Sequence, residues 1–140
     1  MTSPVFAPDT VVHGRYRIVG PIGRGGMGAV YEAIDERLGN RVALKQTLVE
    51  GEVAERAFER EAKLLAGLRH PALPVVSDFF VEAQGRFLVM QYIPGKTLAE
   101  LAEERGASFP VDQVLRWADE LLRALEYLHG RQPPILHRDI

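Results

Sequence analysis

The chain has 140 residues, 46% of them hydrophobic and 26% charged, with a formal net charge of −2. Such a composition speaks against disorder, and the near-neutral charge gives nucleic acid or an anionic membrane no footing as the main partner. Cysteine is absent, which excludes disulfides and thiolate metal sites.

The stretch 1–8 has neither a basic n-region nor an apolar h-region, so it is no signal peptide, and residues 1–14 are read as a short, loosely ordered tail. Alternation from Tyr16 to Gly20 predicts a strand, and Ala29 to Asp35, with Val30, Tyr31 and Ile34, predicts a second. A turn at residues 36–40 leads into a third strand, Arg41 to Thr47, completing an antiparallel meander. Glu52 to Leu68 carries Val53, Ala57, Phe58, Leu64, Leu65 and Leu68 near helical spacing, with Pro71 stopping the pattern. Val75 to Val81 and Arg86 to Tyr92 form a strand pair around Gly85. Thr97-Leu98-Ala99-Glu100 is a capping box opening a short helix to about Arg105. The last helix runs from about Val111 to His129, where Gly130 and Pro133-Pro134 end it. No apolar run is long enough to span a membrane, and a cytoplasmic location is expected.

The fold class is therefore α+β: a small lobe with a five-stranded antiparallel sheet plus one helix over residues 15–91, a linker at 92–96 around Pro94-Gly95, and a helical part over 97–140. The stripe Val114, Leu121, Leu122, Leu125 and Leu128 on the last helix lacks an evident covering element, so the isolated 140-residue chain is expected to be poorly soluble or partly molten.

Three motifs carry chemistry. Gly23-Arg24-Gly25-Gly26-Met27-Gly28-Ala29-Val30 reads G-x-G-x-x-G-x-V, a turn whose backbone can approach a polyphosphate closely. A dinucleotide-binding oxidoreductase uses a similar string, but there a helix opens at the glycines; here a strand follows. Val42-Ala43-Leu44-Lys45 puts an ammonium on the third strand, 17 residues past Gly28. An ammonium facing phosphates needs an anion to fix it. Glu61 is preferred to Glu59, because Leu64, Leu65 and Leu68 place the apolar stripe beside Glu61. The third motif is His137-Arg138-Asp139, 94 residues past Lys45.

Together, these motifs resemble the signature set of the protein kinases, and the string from Gly25 to Tyr31 is most similar to the eukaryotic-like serine/threonine kinases of bacteria. The resemblance implies ATP-dependent phosphorylation of protein Ser or Thr, with ATP and protein substrates as partners. It implies that Gly23, Gly25 and Gly28 cover the phosphates, that Lys45 holds the α- and β-phosphates while paired with Glu61, and that Ile22, Val30 and Ala43 wall the adenine pocket with Met90 behind it. The C=O of Gln91 and the N–H of Ile93 would meet the adenine edge. Many relatives carry an acid where Gln91 stands. Leu65, Val76 and His137 would belong to an apolar column. Asp139 would accept the substrate proton. The Mg²⁺ ligands of the family fall past Ile140, so the 140-residue chain by itself is expected to be inactive. The alternative is a docking module similar to pseudokinases.

Overall fold

The computed structural model describes residues 6–25, 28–48 and 50–135. They divide into two compact units. One holds the chain up to Arg69 and Pro74–Ile93; the other holds His70–Leu73 and the described residues from Pro94 on. The boundary after Ile93 falls inside the 92–96 stretch.

The first unit is built on one antiparallel sheet of β1 (Val11–Val12), β2 (Tyr16–Gly25), β3 (Gly28–Asp35), β4 (Arg41–Thr47), β5 (Val76–Glu82) and β6 (Gly85–Gln91), in the order β1-β2-β3-β4-β6-β5. A helix, α1 (Glu52–Ala66), connects β4 to β5. The sheet thus has six strands, not five. The sixth is β1, inside the stretch read as a tail. Val12 is buried, Phe6 packs its ring on Tyr31 and Phe87 with centroids 5.4 and 6.0 Å apart, and the N–H of Asp9 and that of Ile18 bond the carbonyls of Ile18 and Thr10 at 2.8 Å. Two residues are too few to show a period, so β1 leaves no pattern in the sequence. Strand β2 also runs five residues further than its alternation suggested, to Gly25, because register shifts at Ile18/Gly20 and Pro21/Gly23 break the two-residue repeat.

Strand alternation separates the two faces of this sheet. One face carries Tyr16, Ile18, Tyr31, Ala33, Val42, Leu44, Phe87 and Val89 into the main core. The sheet curls around that core. The Tyr16 hydroxyl donates to Asp78 Oδ2 at 2.9 Å, and His13 pairs with Glu82 while stacking on Phe80 at 4.1 Å, so the β1–β2 margin is tied to β5. Burial, with Asp78 beside it, pushes the Tyr16 phenol above its ordinary range and keeps it a donor. At the β3–β4 turn Asp35 accepts two bonds from Arg15 (2.9 and 2.7 Å) and the backbone N–H groups of Arg37 and Leu38.

The opposite face carries α1. Phe58, Leu65 and Ala66, with buried Ala62, pack on Val76, Phe79, Leu88 and Met90. The helix ends at Ala66 rather than Leu68; the N–H groups of Gly67 and Leu68 reach back only three residues, a tightened last turn.

In the second unit α2 (Leu98–Arg105) opens on both halves of the capping box: Glu100 N–H donates to Thr97 Oγ1 at 3.1 Å, and Thr97 N–H to Glu100 Oε2 at 2.8 Å. It ends at Gly106, whose φ of 64° is the left-handed conformation glycine allows. The long helix α3 (Val111–His129) has the bounds expected, but Gly130 closes it in a right-handed conformation, with φ −80°. Leu128 of the apolar stripe is buried and Leu125 half-buried, whereas Val114, Leu121 and Leu122 are exposed. Among the described residues no helix is long and apolar enough to cross a membrane.

Candidate functional site

Cross-strand register assembles the site. Val30 pairs with Lys45, Lys45 with Leu88, and Ala43 with Met90. Positions 43 and 45 of β4 therefore share a face with Leu88 and Met90 of β6, and Val30 of β3 joins them. Leu44 and Val42 point the other way, into the main core. The α1 face is thus an apolar floor of Val30, Ala43, Leu88 and Met90 with one ammonium at its edge.

Glu61 comes to this floor from α1. A cavity of about 420 Å³ is lined by Lys45, Thr47, Arg86 and Leu88 from the sheet and by Ala54, Ala57, Phe58, Glu61, Ala62 and Leu65 from α1. Glu59 faces away and pairs with Lys63 at 3.1 Å. The ion pair between Lys45 and Glu61 that the resemblance implies is not formed: both side chains are exposed, and among the described residues neither has an oppositely charged partner within 4.0 Å. An exposed ion pair is worth at most about 1 kcal/mol. Packing of Phe58 on Phe79, in an edge-to-face contact of 6.1 Å, outweighs it in placing the helix.

The glycine flap is the β2–β3 hairpin, and a strand follows the glycines, not a helix. Its glycines differ. Gly28 has φ 157°, and a Cβ there would stand 1.8 Å from the carbonyl oxygen of Gln46. Its smallness is required by the sheet itself. Gly23 has open space around the Cβ it lacks, so nothing in the fold demands it. Gly25 ends β2 and pairs with Gly28. Ile22 sits beside Gly23 at a register shift and is exposed. Gly26 and Met27 lie outside the described residues, as do His137 and Asp139, the residue read as the proton acceptor.

At the other end of the floor Gln91 closes β6. Its N–H donates to the Val75 carbonyl at 2.8 Å, and its side-chain oxygen accepts the Val75 N–H at 3.3 Å. Ile93 is exposed beyond it. Leu65 and Val76 of the proposed apolar column pack in one cluster. The reading from sequence missed Thr47, Ala54, Arg86 and Leu88 as cavity residues. Leu88 and Arg86 lie two and four positions before Met90, so the strand period alone could have found them.

Residues 16–140 match the protein kinase domain. This chain belongs to the protein kinase domain family. It is 38% identical over 134 residues to a probable serine/threonine-protein kinase of Streptomyces coelicolor, covering 91% of this chain and 20% of that protein. It is 40% identical over 139 residues to the probable serine/threonine-protein kinase pknA2 of Bifidobacterium longum, covering 95% and 18%. The kinase domain of PknI from Mycobacterium tuberculosis superimposes with a TM-score of 0.80 at 28% identity, over 97% of this chain and 55% of that one. The chain spans about a fifth of the length of these curated relatives. The family match begins at Tyr16, so Phe6 and β1 are packed onto the kinase sheet from outside the matched region.

Proposed function

We propose that the protein carrying this chain is an ATP-dependent serine/threonine kinase, acting in the cytoplasm on protein substrates. One observation carries the reading: Lys45 and Glu61 line one cavity beside the apolar floor of Val30, Ala43 and Met90. A flat apolar floor suits a purine, and a cation at its margin suits the phosphates attached to it. The residues present therefore fit ATP. Val30, Ala43 and Ile22 would hold the base, with Met90 behind. The backbone C=O of Gln91 and N–H of Ile93 would meet its polar edge. Gly23, Gly25 and Gly28 let the flap backbone lie against the phosphates, and Lys45 holds the α- and β-phosphate oxygens.

In the transfer, the substrate hydroxyl oxygen bonds to the γ-phosphorus, the bond from that phosphorus to the β–γ bridging oxygen breaks, and ADP leaves. Asp139 takes the hydroxyl proton. Glu61 fixes the Lys45 ammonium once α1 brings the two into contact. Among the described residues no group of three or more His, Asp or Glu is placed to hold a metal ion, so the Mg²⁺ that kinases use would need ligands outside this set.

The open Lys45–Glu61 pair also favours a second reading, in which the lobe is a docking module without turnover. Measuring phosphoryl transfer by the full-length protein separates the two. Lys45→Met and Asp139→Asn are each expected to lower turnover at least about 100-fold with the melting temperature retained. A wild type without turnover, or a Lys45→Met variant as active as wild type, would sink the kinase reading.

A further inference from the structure

Arg86 opens β6 and is only 4% exposed. It pairs with Thr47, as Leu88 pairs with Lys45, so Arg86 and Lys45 are diagonal neighbours on the α1 face. Its Nη2 donates to the carbonyl of Gly51 at 2.9 Å, and Gly51 is the residue from which α1 starts. Among the described residues its Nε is buried without a hydrogen-bond partner, and no carboxylate lies within 4.0 Å of the guanidinium. A buried cation left unpaired is destabilising. Rules of packing and pairing are broken in this way where a residue serves a site.

The location shows which site. Arg86 walls the cavity that holds Lys45 and Glu61, and it also walls a second cavity of about 640 Å³ together with Glu50, Gly51 and Glu55. It therefore stands between the sheet and the first turn of α1. That turn has little else to hold it. Gly51 offers no side-chain cap, and Glu52, Val53 and Glu55 are exposed. The apolar grip of α1 begins only at Phe58. From Gly51 to Glu61 is ten residues, about 15 Å of helix. With the far end held by Phe58 and Leu65, the near end decides how the helix lies over the cavity.

We infer that Arg86 is a positioning residue for the Lys45–Glu61 pair. By fastening the first carbonyl of α1 to β6, it sets where Glu61 stands relative to Lys45. The inference rests on the phosphoryl-transfer reading and adds to it a residue outside the kinase signature motifs.

A double-mutant cycle on the full-length protein tests it. Arg86→Met, Glu61→Gln and the double variant are compared with wild type by kcat/KM for ATP, each checked by thermal melt. Arg86→Met is expected to lose about tenfold, and the double variant to fall within twofold of Glu61→Gln alone, because Arg86 acts through Glu61. A further tenfold loss in the double variant, or an Arg86→Met variant within twofold of wild type, overturns the inference. Should Arg86→Met fail to fold, Arg86→Gln runs the same cycle; if neither folds, Arg86 is a stability residue and the inference is overturned. Failure of the kinase reading looks different: wild type inactive, or Lys45→Met fully active, whatever Arg86 does.

Discussion

Two glycines of one motif do different jobs. At Gly28 a Cβ would overlap the Gln46 carbonyl oxygen at 1.8 Å, so Gly28→Ala must push β3 off β4. It is expected to lower stability by at least about 2 kcal/mol, read as a drop in melting temperature. Gly23→Ala, with open space at that point, should leave the melt within about 0.5 kcal/mol and weaken ATP binding instead. Equal losses of stability in both variants would show that the flap glycines serve the sheet alone. Asp35 offers a second test. The Arg15 guanidinium, with the N–H groups of Arg37 and Leu38, holds its carboxyl below the ordinary carboxylate range. A depressed carboxyl adds stability above its unfolded pKa of about 4, and that stability is lost as pH falls through the folded value. The stability gap between wild type and Asp35→Asn should therefore be constant from pH 6 to 8 and shrink below pH 4 in urea titrations. A gap that widens in acid would refute the assignment.

Elements differ in how plainly their chemistry shows. The box Thr97…Glu100 was legible because capping needs two residue types at one spacing, and both bonds are made. Thr97→Ala should cost α2 about 1 kcal/mol, visible as faster amide hydrogen exchange at its first turn and little change in β4. Equal acceleration in both elements would mean the cap does not act locally. Helix α3 was legible from its stripe, and β4 from Val42-Ala43-Leu44-Lys45. By contrast, β1 and the second half of β2 were not: one is two residues long, and the other crosses two register shifts. Where the two-residue repeat is broken, strand pairing is decided by the partner strand. Gly85, with φ 134° and a Cβ position 2.7 Å from the Thr47 carbonyl, is another place where a neighbouring strand, not the local sequence, dictates the residue.

For the molecule as a whole, α3 leaves Val114, Leu121 and Leu122 exposed, Leu122 at 64%. Apolar surface of this kind binds hydrophobic dyes and promotes association. The 140-residue chain is expected to enhance ANS fluorescence several-fold, with Leu121→Gln plus Leu122→Gln removing most of the enhancement. A monomer that melts sharply and leaves ANS dark would contradict this. The sequence by itself determined the order of elements from Tyr16 on, the family, and the residue types at the site, because periodicity, caps and short motifs are local properties of the chain. Only the tertiary structure decided that Val11–Val12 joins the sheet, that Lys45 and Glu61 share a cavity without touching, and that Arg86 lies buried at the foot of α1. Those outcomes depend on how a helix packs across strands distant in sequence, where burial of Phe58 and Leu65 outweighs an exposed ion pair.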